Sequence, residues 1–253
     1  MMLKDFYDKH KNFSFRTLSE YYLSPGIRCK FDTLKDNIGS DRSFLRGVDL
    51  GSSGNSILSF LDNIKHKSFL DLASLPLNQY KNDNTFHPLC GDLVRLPYRE
   101  ESFDFVSALD VLEHIKNDKL AILEISRILK KNGIVIITVP HRMRYYSTQD
   151  KIIGHFRRYE INQIISHFNK FNLMNLKTFG VYGRLMLIAD IQSTNPKKIE
   201  ENLINLRNKY ESNMIFRKFW NIIVRILSKF MKIDAKYSSK HRVRNLGLIF
   251  IKK

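Results

Sequence analysis

The stretch FLRGVDLGSSGNS, Phe44 to Ser56, does most to restrict what this chain can become. Phe44, Leu45, Val48 and Leu50 form a short apolar run with Asp49 near its end. A Gly/Ser cluster follows, and Ile57, Leu58, Phe60 and Leu61 resume the apolar pattern. That order predicts a buried strand, a tight turn, and a helix starting near Asn55 or Ser56. Gly51 and Gly54 lack Cβ atoms, so the backbone there can turn sharply and approach a ligand closely. The first N–H groups of the helix would point into the same space. In an open parallel sheet, such a turn lies where nucleotide-like ligands bind, beyond the carboxyl end of a strand. Alone it is equally an ordinary strand–helix connection, and the spacing of the remaining chain has to decide.

Later segments repeat the pattern. Lys67 to Ala73 (KSFLDLA) reads as a second strand ending in Asp71, 22 positions beyond Asp49. An acid there is placed to accept hydrogen bonds from both ribose hydroxyls of an adenosine ligand. Phe86 to Leu93 (FHPLCGDL) reads as a third, where Asp92 can accept from an adenine amino group while Leu93 packs on the ring. Each acid alone is more often a solvated loop residue or a helix cap. Three acids ending three successive strands are much less easily accidental. Phe105 to Leu109 supplies a fourth strand, followed by Asp110-Val111-Leu112-Glu113-His114-Ile115. Asp118 to Leu129 carries apolar residues at helical spacing and is closed by Lys130-Lys131-Asn132-Gly133, cations and then a glycine terminator. Ile134 to Val139 is a β-branched run stopped by Pro140, as in a strand buried on both faces.

The length of 253 residues suffices for one α/β domain with a substantial addition. Cys29 and Cys90 are the only cysteines and have no metal-type spacing, so neither a disulfide framework nor a zinc site is suggested, and no metal is expected. The N-terminal MMLKDFYDKHKNF is too charged for a secretory signal, and no apolar run approaches the ~20 residues of a membrane span. A cytoplasmic setting is expected. The net charge of +17 is uneven: residues 191–253 hold 15 Lys/Arg against 4 Asp/Glu.

The succession VDLGSSGNS, FLDLA, CGDLVRLPYREESFDFVSALDVLEHI and ISRILKKNGIVIITVP closely resembles class I S-adenosylmethionine-dependent methyltransferases, over about residues 44–160. It is most similar to the small-molecule branch. The resemblance implies an α/β, Rossmann-like sheet of seven mostly parallel strands, helices on both faces and the last strand antiparallel. It implies S-adenosylmethionine as cofactor. Asp49, Gly51 and Gly54, with Ser52, would line its methionine and ribose end. Asp71 with Leu72 would hold the ribose, Asp92 with Leu93 the adenine, and Leu109 and Asp110 would border the methionine part. The family's loop usually has glycines where Ser53 and Asn55 stand, and Asn55 is the better suited of the two to left-handed backbone angles. A scaffold that binds cofactor without turnover is the alternative that this departure raises.

After Pro140, Asp150, Gly154, His155, Arg157, Arg158 and Tyr159 form a DxxxGHxRRY arrangement that resembles a loop of some of these methyltransferases, several acting on sugars or lipid-linked glycans. It would lie over the transferred methyl group. Histidine ordinarily titrates near neutrality, so His155 is the candidate base, with an ion-paired scaffold the competing reading. Arg157 and Arg158 could grip a phosphate or carboxylate. Tyr159 and His114 are assigned to the same acceptor side. The expected reaction moves a methyl group to a hydroxyl or amine of a small or lipid-linked, glycan-type acceptor, with an RNA or protein acceptor as the rival.

The expected layout is a helical cap at 1–43, a cofactor-binding core at 44–183, a basic helical insertion at 184–245 and a final strand at 246–253. Ile161 to Phe168 reads as a helix, Leu176 to Tyr182 as the sixth strand and Leu246 to Ile251 as the seventh. Within the insertion, Met214 to Ile233 sets a wide apolar face opposite a basic stripe. Such a helix either packs on the protein or lies on an anionic membrane. No nucleic-acid-binding module is recognisable.

Overall fold

The computed structural model describes residues 17–39, 41–81, 83–186, 196–239 and 242–253. Part of the expected cap (1–16) and part of the insertion (187–195, 240 and 241) lie outside them. Seven strands form one sheet: β1 (Phe44–Leu50), β2 (Ile64–Asp71), β3 (Phe86–Cys90), β4 (Phe103–Leu109), β5 (Leu129–Pro140), β6 (Leu173–Tyr182) and β7 (Asn245–Lys252). Their order is β3-β2-β1-β4-β5-β7-β6, with β7 antiparallel to both neighbours and the contacts among β1 to β5 parallel. The chain moves outward from β1 through β2 to β3, then restarts on the other side of β1 with β4. The ends of β1 and β4 therefore diverge into two connections, and the crevice between those connections is the ligand-binding position of such sheets.

Both faces of the sheet are covered, which is why Ile134 to Val139 in β5 reads as a continuous apolar run rather than an alternating one. On one face α3 (Asp118–Ile128) and α5 (Ile161–Asn169) close over Val48, Leu50, Val106, Val135 and Ile137, and the Phe168 ring stacks on Phe250 at 4.2 Å. On the other face α2 (Pro25–Ile38) brings Phe31 and Leu34 against Phe44, Phe105 and Ile136. Ser24 caps α2 by accepting from the Ile27 N–H, Pro25 fills its first turn, and Gly39 ends it at φ 77°.

Two local expectations are corrected. The helix expected after the glycine turn is a single 3-10 turn, Ile57–Phe60, because Leu61 is already extended and β2 begins at Ile64. The α3 helix stops at Ile128, one residue early. Leu129 is extended, and Lys130–Gly133 begins β5 with Asn132 taking the left-handed angle (φ 63°).

The insertion contributes α6 (Pro196–Ser212) and α7 (Met214–Tyr237). The helix α7 packs on α2, on β6 and on α1 (Glu20–Leu23), and its inward residues are small: Val224, Ser228 and Ala235 are buried. Trp220 Nε1–H donates to the Leu23 carbonyl at 3.1 Å, and Lys232 pairs with Asp36. The apolar stripe itself faces outward: Ile215, Phe219, Ile222, Ile226, Phe230 and Ile233 are 48–83% exposed. Among the described residues no helix is long and apolar enough to cross a membrane.

Candidate active site

The turn after β1 is fixed from below. Gly51 N–H and Ser52 N–H both donate to the Leu70 carbonyl, at 2.8 and 3.0 Å. Gly51 sits at φ 73°, and a Cβ there would come 2.6 Å from Val111 Cγ2, so glycine is required. Ser53, not Asn55, takes the second left-handed position, at φ 48°. Asp71 ties the turn to β2: its carboxylate accepts from Ser53 N–H and Ala73 N–H, each at 2.9 Å. Burial raises the Asp71 pKa, and these backbone donors offset only part of the rise.

A cavity of about 1150 Å³ opens over the ends of these strands. Gly51, Ser53, Asp71, Leu72, Asp92 and Leu93 line it, joined by Asp110 and Val111 after β4. Four residues expected at the cofactor do not reach its wall. Asp49 lies beneath the turn, where its carboxylate accepts from Ser56 Oγ at 2.5 Å and Ser107 Oγ at 2.6 Å. Burial pushes it up to about 6 against those two hydroxyls. Ser52 and Gly54 are buried within the turn, and Leu109 packs toward the α2 face. Asp49 supports the turn from below.

Asp110 reaches the wall in a left-handed conformation, φ 51°. Its carboxylate accepts from Lys30 Nζ at 2.8 Å, Thr138 Oγ1 at 2.9 Å and Asn245 Nδ2 at 2.7 Å. Burial would raise its pKa, but the Lys30 ammonium, with the Asn245 and Thr138 hydrogen bonds, outweighs burial and holds it down to about 2. Lys30 is 80 residues away on α2. No sequence spacing points to it.

The far side of the cavity is the loop after β5. Tyr146, Lys151, Ile152, Gly154, His155 and Phe156 line it, with His114 opposite. Ser147 caps the five-residue helix α4 (Thr148–Ile152), and Asp150 gathers the loop. Arg158 grips Asp150 with Nε at 3.0 Å and Nη2 at 2.9 Å from Oδ2, and His155 Nδ1–H donates to Oδ1 at 2.7 Å. Burial would raise Asp150, but His155 and Arg158 together hold it well below the ordinary carboxylate range. An ionised Asp150 fixes the proton on Nδ1 and leaves the lone pair on His155 Nε2. That atom lies 3.8 Å from Glu113 Oε1, and the His114 ring stands edge-on to His155 at 4.5 Å. Glu113 is fully buried, and neither carboxylate oxygen has a hydrogen-bond donor among the described residues. Burial first, and Asp110 second, drive its pKa well above the ordinary value.

Arg157, Arg158 and Tyr159, expected on the acceptor side, do not line the large cavity. Arg158 is committed to Asp150, while Arg157 pairs with Asp118 at 2.8 Å and donates to the Lys116 carbonyl, outside the large cavity. Tyr159 is buried with its hydroxyl donating to Asp118 at 2.8 Å. These three side chains brace the loop. Tyr146, Lys151 and Phe156 were missed. Phe156, 53% exposed in the quoted loop, was the available signal, since an aromatic in a polar turn has little to pack on within the loop.

Residues 48–137 match the methyltransferase domain family. Over 143 residues the chain is 26% identical to an uncharacterized protein of Methanocaldococcus jannaschii, covering 55% of this chain and 61% of that one. Over 69 residues it is 41% identical to the Arabidopsis thaliana tRNA (carboxymethyluridine(34)-5-O)-methyltransferase, covering 26% of this chain and 17% of that enzyme. The chain thus spans less than two thirds of the length of these curated relatives. Among solved structures it is similar in fold to a Thermotoga maritima S-adenosylmethionine-dependent methyltransferase, with a TM-score of 0.65 and 15% identity over 98% of this chain and 99% of that one. The strand order and the turn after β1 agree with that match: residues 48–137 carry a methyltransferase domain, on a fold shared with S-adenosylmethionine-dependent methyltransferases.

Proposed function

We propose that this protein transfers a methyl group from S-adenosylmethionine to a hydroxyl or amine of a small or lipid-linked acceptor, with a glycan-type acceptor favoured. The observation that carries this reading is one cavity reaching from the strand-end acids Asp71 and Asp92 to His155. Asp71 and Asp92, with Leu72 and Leu93, are assigned to the adenosyl group, and Gly51, Ser53 and Asp110 to the methionine end. Gly51 lines the cavity beside Val111, which packs so close that a Cβ at position 51 would come 2.6 Å from Val111 Cγ2. The bound sulfonium supplies an activated methyl group and a neutral leaving group, so alignment of the acceptor does most of the catalytic work. His155 supplies the lone pair at the acceptor end, and Asp150 holds its ring in place. Tyr146 and Phe156 give that end apolar walls.

The helix α7 supports peripheral contact with an anionic membrane. Its outward apolar stripe is flanked by Arg217, Lys218, Arg225, Lys229 and Lys236, all exposed. A lipid-linked acceptor would then be met at the surface where it resides. A second reading, an RNA acceptor, is favoured by the +17 charge and by the similarity to the Arabidopsis tRNA enzyme.

Three measurements test the proposal. Calorimetry should show S-adenosylhomocysteine binding to the purified protein, and its absence would leave a non-binding scaffold. Labelled methyl transfer should appear with a lipid extract; transfer to tRNA alone would replace the first reading by the second. Flotation with anionic liposomes at low salt should carry the protein upward, and absence of binding there would end the membrane assignment.

A further inference from the structure

Glu113, His114 and His155 leave one question open. A fully buried carboxylate with two unmet oxygens is costly unless something charged or hydrogen-bonding completes it. One carboxylate oxygen of Glu113, one nitrogen of His114 and one of His155 all lie within 4.8 Å of one another, close enough for small side-chain shifts to bring all three onto a single ion. His155 is also oriented as a ligand would be. Its Nδ1–H is held by Asp150 at 2.7 Å, so the Nε2 lone pair faces Glu113. A carboxylate behind a ligating imidazole is the usual second layer of a metal centre. Both histidines line the cavity, so coordination positions left open by three protein ligands would face the acceptor.

We infer that Glu113, His114 and His155 form a binding site for a first-row divalent transition cation at the acceptor end of the cavity. Two imidazoles with one carboxylate favour Mn²⁺, Fe²⁺, Co²⁺ or Zn²⁺ over Mg²⁺ or Ca²⁺, which prefer all-oxygen sites. The inference rests on the methyltransferase reading and deepens it: the site selects an acceptor with an oxygen or nitrogen donor able to join the cation. An acceptor hydroxyl would form the cation–oxygen bond, lose its O–H proton to solvent, and attack the methyl carbon as an alkoxide-like donor, while the methyl–sulfur bond breaks with its electron pair going to sulfur and neutral S-adenosylhomocysteine leaves. His155 then acts through the cation instead of receiving the proton itself. Sequence spacing did not reveal this group, because His155 is 41 residues beyond His114 and only the fold joins them.

The test uses untagged full-length protein dialysed against a chelator and titrated with Co²⁺, read by visible absorption, with Zn²⁺ as competitor. One Co²⁺ per chain with a ligand-field band displaced by Zn²⁺ is expected. Glu113→Gln and His155→Ala should abolish the band, and Asp150→Asn should weaken binding roughly 10–100-fold, the usual effect of losing an outer-layer partner. His87→Ala, at an exposed histidine in β3, should keep the band. Circular dichroism of each variant separates misfolding from ligand loss. No band in the wild type, or a band retained in both Glu113→Gln and His155→Ala, overturns the inference. Calorimetry with S-adenosylhomocysteine on the metal-free protein reports separately on the methyltransferase reading.

Discussion

The carboxylates that anchor the loops at the cavity's two ends, Asp49 and Asp71 at one and Asp150 at the other, are held in opposite electrostatic states. Beneath and beside the turn after β1, Asp49 and Asp71 accept hydrogen bonds from hydroxyls and backbone N–H groups, and burial wins: both are raised, Asp49 to about 6. Across the cavity, Asp150 meets Arg158 and His155, and these partners win: it is lowered. Asp110, between the ends, follows the second pattern through Lys30 and falls to about 2. One end is thus built from many neutral hydrogen bonds around backbone. The other hangs on one ion-paired carboxylate. Damage should be graded at the first end and abrupt at the second.

The sharpest break in that contrast is Asp150→Ala. It strands the Arg158 guanidinium, 12% exposed, and frees the His155 ring. Removing one member of such a buried pair costs about 3–5 kcal/mol. Denaturant unfolding should show a loss on that scale, with methyl transfer abolished. S-adenosylhomocysteine affinity in the folded fraction should change by less than about 0.5 kcal/mol, since the other end is a separate unit. A matching loss of cofactor affinity would show that the two ends are coupled.

Next in size is a pH effect confined to the first end. The folded-state pKa of Asp49 is raised from 3.8 to about 6, so its contribution to stability is complete below 3.8 and is lost as pH rises through about 6. The loss is about 3 kcal/mol by linkage. Asp49→Asn keeps a hydrogen-bonding side chain for Ser56 and Ser107 but cannot ionise. Denaturation midpoints at several pH values should therefore show the variant gaining on the wild type between pH 4 and about 6. Asp110 has the opposite sign: its stabilisation is present above 3.8 and is lost as pH falls through about 2. A variant that tracks the wild type at every pH would mean that Asp49 is not raised.

The same contrast explains what the sequence disclosed. Strand ends were legible because burial on both faces writes continuous apolar runs, and the acids ending them stood out. That reasoning located Asp71 and Asp92 at the wall of the cavity but also put Asp49 there, because strand position says nothing about whether a side chain points up to a ligand or down under the turn. The charged loop was harder. Arg157, Arg158 and Tyr159 look like substrate contacts in a linear reading, whereas Asp118 and Asp150 claim them in three dimensions. The Asp150 to Arg158 pairing was readable as a scaffold; the Lys30 to Asp110 pair and the meeting of Glu113 with His155 depend on folded proximity alone. In α7 the stripe was evident and its direction was not. Small residues at Val224, Ser228 and Ala235 admit close packing, and they turned the larger apolar residues outward.

A smaller effect separates two duties of Asp71. Asp71→Ala should weaken S-adenosylhomocysteine binding by about 1–3 kcal/mol, the scale of hydrogen bonds lost to a charged acceptor. Part of that loss could come from the turn, because the carboxylate also accepts from Ser53 N–H. Asp71→Asn keeps one acceptor for Ser53 while removing the charge and one of the two acceptor oxygens. If its affinity matches that of the alanine variant, the ribose contact dominates; if it matches the wild type, Asp71 serves the turn.

The smallest expected effect tests whether the turn carries strain. Ser53 stands at φ 48°, where a side chain with a Cβ costs about 1–2 kcal/mol relative to glycine. Glycine in turn loses about 0.5–1 kcal/mol more backbone entropy on folding. Ser53→Gly should therefore stabilise the protein by about 0.5 kcal/mol, read from the denaturation midpoint at constant slope. S-adenosylhomocysteine affinity, measured beside it, reports what the Ser53 side chain adds at the methionine end. A loss of stability would mean that the Ser53 hydroxyl adds bonding that outweighs the strained angle. In that case serine at this position would be part of the clamp between the turn and β2, and the first end of the cavity would depend on side chains more than its backbone hydrogen bonds suggest.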